Sequence, residues 1–263
     1  CAQFSADGGL DPVRRLAAER FDTKVGPLRD DDSRREGDAE VERLLGGALD
    51  ADAAAKVALL GAPALQASFA QLGVAEADLV QAGRLRNPVL SWMKVDNDAG
   101  DSKREGVLLF DLGGLLLMPL AREVETRRFE AAQLSAAAAV ALAALEARAA
   151  WYEAVAAREA ERYLADVVEA AEIGRDLSVR MARVGNWPQA SAARDQLFYA
   201  ESVAQLERAR LHPVATRERL VRALGVWGPR AELKLPERLP ALPDRLAEAG
   251  DLEGQAMRQR FDI

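Results

Sequence analysis

The residue types that do chemistry are scarce in this chain, and none falls in a catalytic pattern. His212 is the only histidine among 263 residues and Cys1 the only cysteine. That excludes any Ser/His/Asp or Cys/His arrangement with a second histidine and leaves a zinc site short of ligands. His212 precedes Pro213 and reads as a helix-surface residue beside a kink. Asp96-Asn97-Asp98-Ala99-Gly100-Asp101 invites a calcium reading. It fails the loop template, because Asp101 stands at the glycine position and Val107 at the position of the bidentate glutamate. Gly113-Gly114 lacks phosphate-loop spacing, and Met93, Met118, Met181 and Met257 are scattered. The expectation is no catalytic, cofactor or metal site, and no enzyme.

Composition turns attention to architecture. Hydrophobic residues make up 49% of the chain but aromatics only 5%, which suits helices packed through alanine. A net charge of −7 with interspersed signs argues against a nucleic-acid footprint. No run of about 18 uninterrupted apolar residues occurs, so no transmembrane helix is expected, and membrane contact would fall to strands or a lipid anchor. Cys1 is either a free thiol or the acylated first residue of a processed lipoprotein.

The elements follow in order. Residues 1–38, with the acidic run Asp30-Asp31-Asp32, read as an extended arm whose charges form a solvated face. Residues 39–84 read as short helices: Asp50 caps one, Pro63 breaks or kinks it, and a second runs to about Gly83. The stretch 85–114 reads as a β-hairpin. Val89–Val95 is rich in strand formers, a polar loop spans Asp96 to Arg104, and Val107–Leu112 is a second apolar run. Leu90 and Trp92 share one face, and so do Leu108, Phe110 and Leu112. Each strand nears the roughly 9–11 residues that cross a membrane at a tilt; a hairpin on a soluble core is the alternative.

The span 115–228 reads as a long helical hairpin with its tip at 184–188. From Pro119 to Arg183 no proline occurs, which predicts a helix about 100 Å long. Tyr163, Val167, Ala170, Gly174, Leu177, Met181 and Val184 are spaced four and three, a heptad seam. Gly185-Asn186-Trp187-Pro188 stops the helix. Ala190, Ala193, Leu197, Ala200, Ala204 and Leu211 predict the seam of a returning partner in an antiparallel coiled coil. Gly225 and Gly228 end it, and residues 229–263 read as a proline-rich linker.

Three motifs in this order carry a resemblance: Gln81-Ala82-Gly83-Arg84-Leu85-Arg86-Asn87-Pro88, Arg180-Met181-Ala182-Arg183-Val184-Gly185-Asn186, and the exit Leu224-Gly225-Val226-Trp227-Gly228. Over residues 40–263 the chain resembles the TolC-like outer-membrane efflux factors. The resemblance implies a mainly α fold whose β-hairpin joins a trimeric outer-membrane barrel and whose helical hairpin lines a periplasmic tunnel. It implies a passive duct for small molecules or metal ions, linked by a periplasmic adaptor protein to an inner-membrane efflux pump. Arg180, Val184, Gly185 and Asn186 would meet the adaptor. Leu90, Trp92, Leu108, Phe110 and Leu112 would face outer-membrane lipid, and Cys1 would be acylated. Complete members repeat the unit and only one copy is present, so the chain is expected to correspond to the first repeat. The competing expectation is a soluble periplasmic coiled-coil scaffold or adaptor-like protein.

Overall fold

The computed structural model describes residues 3–28, 30–96, 102–243 and 250–259. Among them eight α-helices and one two-stranded sheet occur, in the order α1 (Asp11–Phe21), α2 (Asp31–Leu45), α3 (Ala51–Gly61), α4 (Pro63–Ala82), β1 (Val89–Asp96), β2 (Ser102–Leu109), α5 (Leu112–Arg183), α6 (Gln189–Ala209), α7 (Leu211–Leu224) and α8 (Leu252–Gln259).

α5 organises everything else. Its 72 residues make a rod about 110 Å long at 1.5 Å per residue, and α1, α3, α4, α6 and α7 all pack along it. The core occupies only its middle. Ala136, Ala137, Val140 and Ala144 meet Leu10, Val13 and Ala17 from the N-terminal region and Leu65, Phe69 and Leu72 from α4. One step further along, Ala147, Ala150, Trp151, Ala154 and Val155 meet Ala54, Val57 and Ala58 of α3 and Leu220 and Leu224 of α7. Alanines at spacings of three and four let these backbones approach closely, which is how so few aromatics suffice. Trp151, 3% exposed, donates its indole N–H to the Leu49 carbonyl at 2.7 Å.

The expected extended arm is corrected. Residues 1–38 contain α1 and the first half of α2. Asp30 is an N-cap, accepting from the Ser33 amide at 2.7 Å, and Asp31 and Asp32 occupy the first turn, where the helix dipole favours anions. The arm is also pinned: Ser5 donates its amide to Glu76 of α4 at 2.6 Å, and Gln133 of α5 donates to the Gly9 carbonyl at 2.9 Å.

α3 and α4 form as expected, with Asp50 accepting from Ala53 N–H at 2.7 Å and a 44° bend at the Pro63 break. α5 begins seven residues before Pro119 and runs through it, started by Asp111, whose carboxylate accepts from Gly114 N–H at 2.7 Å. By length and composition α5 holds an 18-residue window apolar enough to cross a membrane, with mean hydropathy 1.3 and 39% buried. Alanine density raises hydropathy without any unbroken apolar block.

The segment after α7 is strapped down. Lys234 accepts through its carbonyl from Leu49 N–H at 2.8 Å, Arg230 pairs with Asp38 and Glu42 at 2.6 and 2.8 Å, and Glu159 of α5 accepts from Leu239 N–H at 3.0 Å.

The largest correction concerns the coiled-coil seam. A three-four repeat runs along the returning helices, but its buried members are Ala192, Ser202, Leu206, Thr216, Leu220 and Leu224. On α5 they are Ala171 and Ser178, with half-buried Val167, Arg175 and Met181 near them. Of the residues expected to face inward, Val167 and Met181 are half-buried, while Tyr163 is 67% exposed, Leu177 58%, Leu197 58% and Leu211 74%. The hairpin is zipped by small and polar side chains. Ser178 and Ser202 return their hydroxyls to helix carbonyls, Arg175 and Phe198, at 3.0 and 2.7 Å.

Candidate docking tip and membrane hairpin

At the far end of α5 the chain reverses in a tight turn that caps the helix C-terminus. Gly185 adopts φ +79°, a left-handed geometry that costs a β-carbon-bearing residue energy. The amide of Gly185 donates to the Ala182 carbonyl at 3.1 Å and that of Asn186 to the Met181 carbonyl at 3.0 Å. This bond pair satisfies the last carbonyls of the helix. Pro188, extended at φ −66° and ψ 135°, then starts α6.

Arg180, Val184, Gly185 and Asn186 are all exposed there, Val184 at 70%. Arg180 and Val184, four apart, share one helix face. Arg180 and Arg183 lie in the last turn of α5, where cations complement the helix C-terminus. Trp187, 42% exposed, belongs to this tip as well; an aromatic between a helix-stopping glycine and a proline was the available signal for it. A shallow groove of about 260 Å³ lies beneath, lined by residues of both helices, among them Val179, Arg183 and Gln189.

Two turns below the tip, Arg175 ties the hairpin together. Its guanidinium lies 4.1 Å from the centre of the Tyr199 ring on α6 and pairs with Asp176 at 2.7 Å and Glu172 at 3.4 Å. The Asp176 hydrogen bond holds the guanidinium above its ordinary pKa. Sequence spacing gave no hint of an arginine at a seam position.

At the opposite end, β1 and β2 pair antiparallel with Leu90 opposite Leu108 and Trp92 opposite Gly106. A β-carbon on Gly106 would lie 3.1 Å from the Trp92 ring, so the indole covers the glycine. β2 begins at Ser102 and stops at Leu109: Asp96 and the polar residues Ser102, Lys103 and Arg104, expected in the loop, pair in the ladder. Phe110 and Leu112 are therefore not strand residues. Phe110 follows β2 and Leu112 opens α5, because the Asp111 cap ends the extended backbone there. The calcium pattern falls at 96–101, of which 97–101 lie outside the described residues, as do Cys1 and Ile263.

The hairpin packs on no core. Leu90, Trp92, Leu108, Phe110 and Leu112 are 61–73% exposed. The opposite face carries Val89, Met93, Val107 and Leu109, also exposed, so the expected apolar/polar alternation is blurred. The apolar surface continues onto the first turns of α5, where Leu116 is 82% and Leu117 62% exposed. A contiguous apolar surface of this kind marks contact with a membrane or a protein partner.

No family model and no curated protein matches the sequence. Solved structures share the fold. The outer-membrane channel OprN covers all of this chain with 57% of its own length, at TM-score 0.62 and 18% identity. CusC, described for its folding and transmembrane channel formation, covers 75% of this chain with 49% of its own, at TM-score 0.59 and 15% identity. The outer membrane protein VceC from Vibrio cholerae covers 80% with 52%, at TM-score 0.54 and 16% identity. The chain spans about half the length of each. With its exposed hairpin, 72-residue rod and tight reversal, the chain has the fold of the TolC-like outer-membrane efflux channels.

Proposed function

We propose that the chain forms part of the wall of a trimeric outer-membrane duct, one component of a tripartite efflux system. The observation that carries this reading is the placement of apolar surface. The β-hairpin is exposed on both faces. Its apolar residues Val89, Leu90, Trp92, Met93, Val107, Leu108 and Leu109 lie at the end nearest the helices, and Lys94, Lys103, Arg104 and Glu105 at the other. The helical hairpin buries Ala171, Ser178, Ala192, Ser202 and Leu206 and turns Tyr163, Leu177, Leu197 and Leu211 outward. A chain built so needs lipid at one end and further helices along its length. The β-hairpin crosses the outer membrane, with Leu90, Trp92, Leu108, Phe110 and Leu112 against lipid or at its boundary. The helical hairpin stands in the periplasm, and Arg180, Val184, Gly185 and Asn186 contact a periplasmic adaptor that couples the duct to an inner-membrane pump. Small molecules or metal ions pass without chemistry on the wall.

Fractionation of cells expressing the whole protein tests the location: extraction only with detergent supports the duct, and release with the soluble periplasm supports the scaffold reading. Gly185→Pro tests the tip. Export and adaptor crosslinking should both fall, and unchanged values for both would remove the tip from the adaptor interface.

A further inference from the structure

The junction between the β-hairpin and the helices holds a cavity of about 410 Å³, formed where α4 ends and α5 begins. Its lining combines the charged residues Arg84, Arg86 and Asp111 with the apolar Phe110, Leu115 and Leu117. Asp111 is already engaged, accepting from Gly114 N–H at 2.7 Å and pairing with Arg86 at 3.5 Å. Arg84 has no ion-pair partner among the described residues, so the cavity carries an uncompensated positive charge. Its apolar wall is open: Leu117 is 62% exposed, Phe110 61% and Leu115 42%. That wall runs on into Leu112 and Leu109, towards the strands.

We infer that this cavity is a binding site for an anionic phospholipid of the leaflet at the helix end of the strands. The inference rests on the hairpin crossing the membrane as proposed above. The headgroup phosphate sits at Arg84, with Arg86 beside it. Arginine suits this role because its fork gives two donors to phosphate oxygens and its stem lies along apolar surface. An acyl chain lies against Leu115 and Leu117. A soluble anion would use the charge but leave the adjoining apolar wall in water, so charge and wall together select an amphiphile. The site would fix the depth at which the strands give way to helix.

Native mass spectrometry of the full chain in detergent, with phosphatidylglycerol or phosphatidylcholine added, reads the retained lipid. Flotation with phosphatidylglycerol vesicles separately reads membrane insertion. Phosphatidylglycerol should be retained over phosphatidylcholine. Arg84→Gln should weaken retention about fivefold, the worth of one basic residue near an anionic membrane surface, and Leu117→Ser should weaken it without altering the charge. Lys103→Gln, at the far end of β2, should leave it unchanged. Equal retention by wild type and Arg84→Gln, with flotation intact, overturns the site but not the membrane hairpin. Absence of flotation overturns both. Displacement of the lipid by millimolar inorganic phosphate would reveal a free-phosphate site, and a Leu117→Cys crosslink between two copies that excludes lipid would reveal a protein interface; either result overturns the proposal.

Discussion

Gly225 lies so close to Ala62 that a β-carbon on the glycine would stand 2.8 Å from the Ala62 Cα and 2.7 Å from the Pro63 Cδ. The end of the returning helix is thereby seated in the bend between α3 and α4. Gly225 also has φ +67°, and the amides of Gly225 and Val226 cap α7 by donating to the carbonyls of Arg222 and Val221. Gly225→Ala meets both obstacles, left-handed strain and a clash with backbone. The expected cost is about 2–4 kcal/mol, read as a fall in the midpoint of urea unfolding.

Gly185→Ala separates the two obstacles. Gly185 has the same sign of φ, +79°, but nothing lies within 4 Å of where its β-carbon would go. Only strain remains, about 1 kcal/mol, and it is confined to the tip. Hydrogen exchange should quicken in residues 181–187 while the core around Trp151 keeps its protection; faster exchange in the core as well would show that the tip is coupled to it.

The polar zipper makes a paired prediction. Leu206 is 6% exposed between the two arms, and Leu206→Ala should cost about 2–4 kcal/mol. Leu197, 58% exposed, should cost the isolated chain no more than about 0.5 kcal/mol but reduce self-association measured by sedimentation. Equal losses of stability from both substitutions would mean that the arms pack on the other face.

Trp151→Phe keeps most of the ring's volume and removes the donor to Leu49. A buried carbonyl left without a partner costs about 1–3 kcal/mol. Thermal unfolding reads it, with Tyr152→Phe, whose side chain is half exposed, as the comparison.

Asp30 makes α2 acid-sensitive. The backbone hydrogen bond from Ser33, with the Ser33 side chain adding to it, holds the carboxyl below its ordinary pKa of 3.8. A group with a lowered folded pKa stabilises the fold above its unfolded value and loses that contribution as pH falls through the folded one. Exchange protection at the start of α2 should therefore be constant near neutrality and decline below about pH 4. Asp30→Asn, which keeps a capping oxygen without the charge, should flatten that decline.

Much of the architecture was legible in residue order because its signals are local. Asp50, Pro63, the absence of proline before Arg183, and Gly185 with Pro188 each act within one turn of helix. What escaped needed information from across the structure. Asp30-Asp31-Asp32 has the composition of a solvated run, and only the packing of Val13, Ala17 and Val41 decides that helices form beside it. The extent of β2 follows from pairing, since Lys103 and Arg104 join a strand because Val95 and Lys94 oppose them. Apolar spacing places Val167 and Met181 near the interface but also points to Tyr163, Leu177 and Leu197, which face outward. In this hairpin the small polar residues lie inside, and no pattern within one helix states which neighbour its apolar stripe serves. The motif that seats Gly225 was visible as residues, but its partner, the Ala62-Pro63 bend, is more than 160 positions away.

A rod without a hinge has a mechanical consequence. α5 passes unbroken from the sheet end to the tip, so a rotation at one end is carried to the other. At 1.5 Å per residue over 72 residues, a pivot of one degree at the sheet end sweeps the tip through about 2 Å. Small rotations where the helix leaves the strands become side-chain-sized displacements at Val184.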